Sequence, residues 1–354
     1  MSDNKGLYYH IPFCRQKCPY CDFYSAKTEI DTVVRYAGAL ISETEKYSDS
    51  TMLFDTIYFG GGTPNLLGAE NISKVIENAK QCFSISSPEI TVECNPSSDL
   101  EEFFSILAKV GVNRISVGLQ SALQSELDFL GRKHTAHSLK QTVMAAKSAG
   151  INNISVDLMF GLPNQTFENL DKSIDFVLSL DVPHISAYML KVEKSTPFFE
   201  VGIITDDDCQ AELYMHLCER LTGLYKHYEI SNFCREGFES RHNLKYWTGA
   251  EYLGIGASAH SFLNQKRFFY PRSTADFINS PKAVPDGLGG DADERHMLLL
   301  RLSDGIKSPV PDNIFRRALK LSKTGLVIAD KQGVRLTEKG FLLSNTLIGN
   351  LING

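Results

Sequence analysis

The chain has 354 residues, with 36 Lys and Arg against 42 Asp and Glu, a net charge of −6. At 43% hydrophobic and 22% charged it has a folded, globular composition, which excludes a disordered chain, and its mild acidity argues against bulk nucleic-acid binding. No stretch approaches the ~18 apolar residues of a membrane span, and Met1-Ser2-Asp3-Asn4-Lys5 carries no apolar signal core, so the expectation is a cytoplasmic protein.

In chain order, short β-branched runs alternate with amphipathic stretches. Strands are predicted at Leu7–His10, Thr56–Phe59, Glu89–Glu93, Arg114–Val117, Asn153–Asp157 and His184–Tyr188. Between the first two, Val33, Val34, Ala37, Leu40, Ile41 and Thr44 form one helical face. Further helices fall near 71–82, 100–109, 138–149 and 168–180, with Gly111 and Gly150 at helix C-terminal positions. Consecutive strand–helix units predict a parallel sheet with right-handed crossovers. Six units are too few for an eight-unit barrel, so the fold class is α/β, a partial (β/α)6 barrel.

A seventh helix (Leu213, Leu217, Leu221, Leu224) precedes a strand at Tyr228–Ile230. The segment from about 234 to 290, rich in aromatics and glycine, is expected to be irregular. A helix near 313–322, a hairpin of Leu326–Ile328 and Val334–Leu336 turned at Asp330–Gly333, and a last helix from Thr337 resemble a winged-helix α+β module. The expected domains are 1–235, an irregular extension 236–290, and a C-terminal module 291–354. Residues 313–354 hold seven Lys/Arg against two Asp/Glu, which reads as a solvated basic face, not a nucleic-acid surface.

The cysteines carry the chemistry. Of eight, Cys14, Cys18 and Cys21 crowd into one C-x3-C-x2-C loop directly after the first strand, and Cys82, Cys94, Cys209, Cys218 and Cys234 are scattered. A tight cluster in a long chain points to metal binding, not a disulfide scaffold. Three thiolates on one loop suit one corner of a [4Fe–4S] cube, leaving one iron open. Structural zinc, which His10 or Asp22 would complete, lacks the usual second pair of ligands. Cys82, Cys209 and Cys218 lie in helical patterns and read as core, and His134 and His137 as loop residues.

This spacing after a first strand, followed by βα repeats, resembles the radical S-adenosylmethionine (SAM) family over roughly 1–235. The resemblance implies a partial (β/α)6 barrel in which SAM chelates the open iron. Strand ends offer groups that complement SAM: Gly60-Gly61-Gly62-Thr63-Pro64 for close backbone approach, Glu93 for ribose hydroxyls, Gln120, Arg132 for a carboxylate, and Asp157.

Tyr8-Tyr9-His10-Ile11-Pro12-Phe13-Cys14, Thr91–Pro96 (TVECNP) and Ser116–Ser121 (SVGLQS) resemble oxygen-independent coproporphyrinogen dehydrogenase, HemN, and its relative HemW. The resemblance implies that Tyr8, the backbone at Tyr20, Gly61, Gly62, Thr63, Glu93, Gln120, Arg132 and Asp157 line SAM. The dehydrogenase usually has another cysteine where Phe23 stands, and a longer arm before its cysteines. His242-Asn243-Leu244-Lys245-Tyr246-Trp247 matches the HNxxYW motif that implies heme binding in HemW-type proteins, and Tyr228–Phe233 and Gly254–His260 also look like that family. Histidine nitrogen or tyrosinate ligates heme iron, and indole stacks on porphyrin. His242 and Tyr246 are both candidate iron ligands, with Cys218, Cys234 and His260 left open. Lys245 and Arg241 would meet propionates, and Asn243 and Trp247 complete the motif.

The resemblance thus implies a heme chaperone holding a [4Fe–4S] cluster, SAM and heme, with no catalytic residue assigned. Its partners would be a heme acceptor such as a respiratory cytochrome, and an electron donor if SAM is cleaved. The alternative is a radical-SAM porphyrinogen oxidase (dehydrogenase) or a related methyltransferase.

Overall fold

The computed structural model describes residues 4–27 and 29–353. Met1–Asp3, part of the polar start noted above, lie outside them.

Strands β1 (Lys5–Ile11), β2 (Asp49–Gly61), β3 (Phe83–Cys94), β4 (Arg114–Gln120), β5 (Asn153–Phe160) and β6 (His184–Met189) contain all six strands predicted for the repeat. They pair in that order, all parallel. Helices α1 (Ile30–Lys46), α2 (Ala69–Cys82), α3 (Glu101–Lys109), α4 (Ala136–Ser148), α5 (Phe167–Ser179) and α6 (Asp207–Leu221) follow the strands in turn. The result is the partial (β/α)6 barrel. Gly111 and Gly150 end α3 and α4 at φ of 95° and 86°. In α1, Val33, Ala37, Leu40 and Thr44 are buried as predicted, but Val34 is 57% exposed, one position off the inward stripe.

Alternation along the strands sorts the residues into two sets. Leu7, Tyr9, Ile11, Ile57, Phe59, Ile90, Val92, Ile115, Val117, Ile154, Val156 and Ile185 are buried in the layer between sheet and helices. Each aliphatic side chain placed there contributes about 1.5–3 kcal/mol. The intervening residues, among them Tyr8, His10, Tyr58, Glu93, Ser116 and Asp157, fill the concave side with polar groups.

After α6 come β7 (Lys226–Glu229) and β8 (Asn232–Cys234), antiparallel on the far side of β6. The expectation of irregularity for the next segment is corrected. It forms α7 (Arg241–Thr248) and strands β9 (Tyr252–Ile255), β10 (His260–Leu263), β11 (Lys266–Phe269) and β12 (Val284–Leu288). Strand β9 lies parallel beside β1, and the others extend the sheet antiparallel, giving the order β12-β11-β10-β9-β1-β2-β3-β4-β5-β6-β8-β7. Strands of four or five residues are too short to show a clear period of two. The β10–β11 turn places Asn264 and Gln265 at φ of 53° and 59° without a glycine to announce it.

The C-terminal module pairs β13 (Ile306–Lys307), which sequence reasoning missed, with a hairpin of β14 (Val327–Asp330) and β15 (Gly333–Leu336). Around it stand α8 (Asp312–Leu321), α9 (Glu338–Leu342) and α10 (Ser344–Ile352).

Candidate functional site

The C-terminal ends of the parallel strands open into a cavity of about 550 Å³. Cys14 ends a two-residue strand, Phe13–Cys14, that pairs with Ala26–Lys27. This pairing pinches the intervening loop shut at its base. Cys18 and Cys21 stand on it in one tight turn, with the Cys21 amide donating to the Cys18 carbonyl at 3.1 Å. All three thiols are free, half-buried and in the cavity wall. Burial pushes the Cys14 and Cys21 thiols above their ordinary range.

The glycine run after β2 explains how the loop comes so near the strand. Gly61 has a φ of 115°, and a Cβ there would enter the His10 ring at 2.5 Å. A Cβ on Gly62 would lie 2.7 Å from the Phe13 carbonyl oxygen. The Gly62 and Thr63 amides donate to the Ile11 and Phe13 carbonyls, both at 2.8 Å. Backbone contacts thus bind the run directly to the chain entering the cysteine loop.

Strands β3 to β5 supply the opposite wall. Glu93 Oε1 accepts from the Tyr58 hydroxyl at 2.7 Å and Oε2 from the Gly61 amide at 3.1 Å. Burial pushes its carboxyl up to about 7. Asp157, whose carboxyl is also raised by burial, accepts from the Ser116 hydroxyl at 3.1 Å. Gln120 ends β4 at φ of 73°, strained for a residue with a side chain. Arg132 donates to Cys18 Sγ at 3.7 Å, to Asn95 Oδ1 at 2.8 Å and to the Gly118 carbonyl at 2.6 Å, and its buried Nε has no partner.

The cavity therefore gathers Cys14, Cys18, Cys21, Tyr20, Gly61, Gly62, Thr63, Glu93, Gln120, Arg132 and Asp157. Tyr8 stands below it, its hydroxyl 2.9 Å from His10 Nδ1. Sequence reasoning assigned no role to Asn95 or Arg272, which also line the cavity. Asn95 sat within the TVECNP string, but Arg272 comes from a distant loop that no motif marks.

The chemistry of this wall fits the groups the sequence implies. Three thiols converge without a fourth on the same loop, which suits a cube held at three corners. Arg132 brings a fixed positive charge into the wall beside Cys18. Glu93 and Asp157 are acceptors for hydroxyl or ammonium groups.

The HNxxYW residues are elsewhere. Helix α7 closes the opposite end of the barrel, against the start of β1 and Asp55-Thr56 in the middle of β2. His242 is 1% exposed, with Nδ1 at 2.8 Å from the Thr56 hydroxyl and Nε2 at 2.9 Å from the Tyr246 hydroxyl. Its ring packs on Tyr58 at 5.0 Å and Tyr8 at 6.2 Å. Burial pushes its imidazole down to about 3, so it is neutral. Lys245 pairs with Asp55 at 2.5 Å and Arg241 with the same carboxylate at 3.2 Å, so both expected propionate partners are engaged within the fold. Asn243 and Trp247 are half-buried, and the Arg301 guanidinium lies 5.6 Å over the indole. As placed, His242 offers no free nitrogen to an iron. Tyr58 stands between the motif and the cavity: its ring is 5.0 Å from that of His242, and its hydroxyl donates to Glu93 at 2.7 Å.

Comparisons with known proteins agree with this architecture. Residues 8–177 match the sequence profile of the Radical SAM superfamily. The chain is 34% identical to the heme chaperone HemW of Bacillus subtilis, covering 98% of both chains. It is 32% identical to the heme chaperone HemW of Lactococcus lactis, over 97% of this chain and 96% of the relative. The solved structure of coproporphyrinogen III oxidase (HemN) from Escherichia coli, a radical SAM enzyme, superposes with a TM-score of 0.83 at 20% identity, covering 99% of this chain and 91% of that one. At that identity the likeness speaks for the fold alone. Among the described residues, no helix is long and apolar enough to cross a membrane.

Proposed function

Because the chain belongs to the HemW family of the radical SAM superfamily, we propose that it is a cytoplasmic heme chaperone, which binds heme and passes it to an acceptor such as a respiratory cytochrome. The observation that carries this reading is similarity to curated heme chaperones along nearly the whole of both chains, C-terminal module included.

In this reading Cys14, Cys18 and Cys21 hold a [4Fe–4S] cluster. The cluster supplies an open iron for the methionyl end of SAM and an electron if SAM is cleaved. Arg132, in the wall beside Cys18, would supply the positive charge for the SAM carboxylate. Gly61 and Gly62 let the backbone approach, Thr63 stays beside Cys14 (Oγ1 to Sγ, 3.6 Å), and the Tyr20 backbone, Gln120 and Asp157 close the walls. Glu93 accepts from the ribose hydroxyls, and Tyr8, by way of His10, supports the floor.

Heme is cargo in this scheme. Of the motif residues, Asn243 and Trp247 meet it with α7 in place. His242 and Tyr246 become available only when α7 withdraws from Thr56. Phe23 stands 66% exposed at the cavity mouth, where the dehydrogenase resemblance expects a cysteine.

The likeness of the fold to HemN sustains a second reading, a porphyrinogen oxidase. Anaerobic reconstitution followed by heme titration, with and without SAM, separates the two. The chaperone reading expects a stoichiometric Soret band, transfer of heme to an apo-cytochrome, and no protoporphyrinogen from coproporphyrinogen. Turnover of coproporphyrinogen without heme affinity would reverse the assignment.

A further inference from the structure

Outside the cavity, one cluster of side chains has metal-ligand chemistry and no role in the function proposed above. Cys218 on α6, His227 on β7 and Glu338 on α9 present one sulfur, one nitrogen and one oxygen, all within 4.8 Å of one another. The three come from separate elements. Two belong to the last part of the barrel and one to the C-terminal module.

Their distances are informative. His227 Nδ1 lies 3.9 Å from Cys218 Sγ and 3.6 Å from Glu338 Oε1. The nitrogen–oxygen contact is too long for a good hydrogen bond, about 2.9 Å, and the nitrogen–sulfur contact is at the outer edge of hydrogen-bond range. They are close to the edges of a tetrahedron around a zinc-sized ion. With metal bonds of about 2.3 Å to sulfur and about 2.0–2.1 Å to nitrogen or oxygen, those edges are about 3.3–3.6 Å. On the two edges from His227 the gap is a few tenths of an ångström; the third, from Cys218 to Glu338, is within 4.8 Å, and Glu338 is exposed enough to move and close it.

The imidazole is also oriented in advance. His227 Nε2 faces the Ile230 carbonyl at 3.3 Å, which places the proton on Nε2 and leaves the Nδ1 lone pair pointing at the other two ligands. Its ring stacks on Phe233 at a 4.1 Å centroid distance and meets the Phe341 edge at 5.3 Å. A histidine held in this way by a carbonyl behind and aromatics on both sides loses little freedom on ligation.

We propose that Cys218, His227 and Glu338 form a binding site for one divalent, zinc-like ion that clamps the C-terminal module to the barrel, with water as the fourth ligand. The mixed S/N/O donor set selects a borderline-soft ion of the zinc type over magnesium or calcium. Binding releases the Cys218 thiol proton to solvent as the Sγ–metal bond forms, with no change of oxidation state.

The test uses the full chain, anaerobically purified and reconstituted with iron and sulfide so that the three loop cysteines are occupied. Zinc is added, excess is removed by gel filtration, and zinc and iron are counted by elemental analysis. The expected result is one zinc per chain in addition to the iron, and a higher melting temperature with zinc than without. A chain carrying Cys14→Ser, Cys18→Ser and Cys21→Ser keeps that zinc. With Co²⁺ in its place, this chain shows thiolate-to-cobalt charge-transfer absorption, which Cys218→Ser removes. Glu338→Gln, at an exposed position that leaves folding intact, lowers zinc affinity roughly tenfold or more. Absence of a retained zinc, a charge-transfer band that survives Cys218→Ser, or an unchanged affinity in Glu338→Gln would each overturn the proposal. Should Cys218→Ser fail to fold, Glu338→Gln alone decides.

Discussion

His242 and Tyr246, the first and fifth positions of the HNxxYW motif, are each other's hydrogen-bond partners, Nε2 to hydroxyl at 2.9 Å, at the closed end of the barrel. The spacing of four residues puts them on one face of α7. Thr56 holds the other ring nitrogen. The motif is therefore a structural plug as it stands, and any role in heme binding draws on the same atoms.

The first prediction separates those roles. His242→Ala leaves two hydroxyls without a partner and a cavity against Tyr58, and should cost about 2–4 kcal/mol of stability in urea denaturation. Tyr246→Phe removes one hydrogen bond and should cost about 1 kcal/mol. It also frees Nε2, so its heme affinity is expected to rise above that of the unmodified chain in a Soret titration. A fall would assign the iron to Tyr246 instead.

A second prediction concerns pH. The Glu93 carboxyl is pushed up to about 7 by burial, against about 4.3 in an unfolded chain. The folded chain therefore keeps a proton that the unfolded chain gives up. Its stabilising effect is full below about 4.3 and is lost as pH rises through about 7, at about 1.4 kcal/mol per unit of displacement. The stability difference between the unmodified chain and Glu93→Gln should fall from pH 5 to pH 7 and level off above. Buried His242 and His10 titrate in the opposite sense but cancel in that difference. Denaturant melts of both chains at pH 5 and pH 8 measure it, and a difference that grows with pH would contradict it.

Arg132 is the third case. One guanidinium serves Cys18, Asn95 and Gly118 at once. A lysine ammonium cannot reproduce that planar fork. Arg132→Lys is expected to weaken SAM binding to the reconstituted chain at least tenfold, about 1.4 kcal/mol, by calorimetric titration. It should also hasten loss of the iron–sulfur absorbance under a chelator. Unchanged SAM affinity would take the carboxylate contact away from Arg132.

A fourth prediction rests on close approach. In Gly62→Ala the new methyl would meet backbone atoms of Phe13, Pro12 and Ile11 at 2.7–3.0 Å. The backbone must shift at about 1–3 kcal/mol, and iron incorporation should drop with it. Gly38→Ala is the control. Its Cβ meets nothing within 4 Å, it lies inside α1, and alanine there should stabilise by about 0.5–1 kcal/mol.

Much of the barrel was legible because its signals are local. The cysteine spacing, the glycine run and Glu93 near the end of β3 follow from strand period and loop position; Asp157, expected to end its strand, lies within β5, which runs on to Phe160. The antiparallel extension after α7 was not legible. Its strands are only four or five residues long, and β9 gains its meaning from lying beside β1, nearly 250 residues earlier in the chain.

Chemistry was legible where a few neighbouring residues carry it, since thiols within eight positions of one another can share a ligand whatever surrounds them. Placement was decided by packing at long range. Arg272 reached the cavity, α7 was turned inward on its histidine, and Cys218, His227 and Glu338 met across an interface, because burial of the sheet faces fixes where distant segments must lie. No local pattern of side chains encodes that geometry.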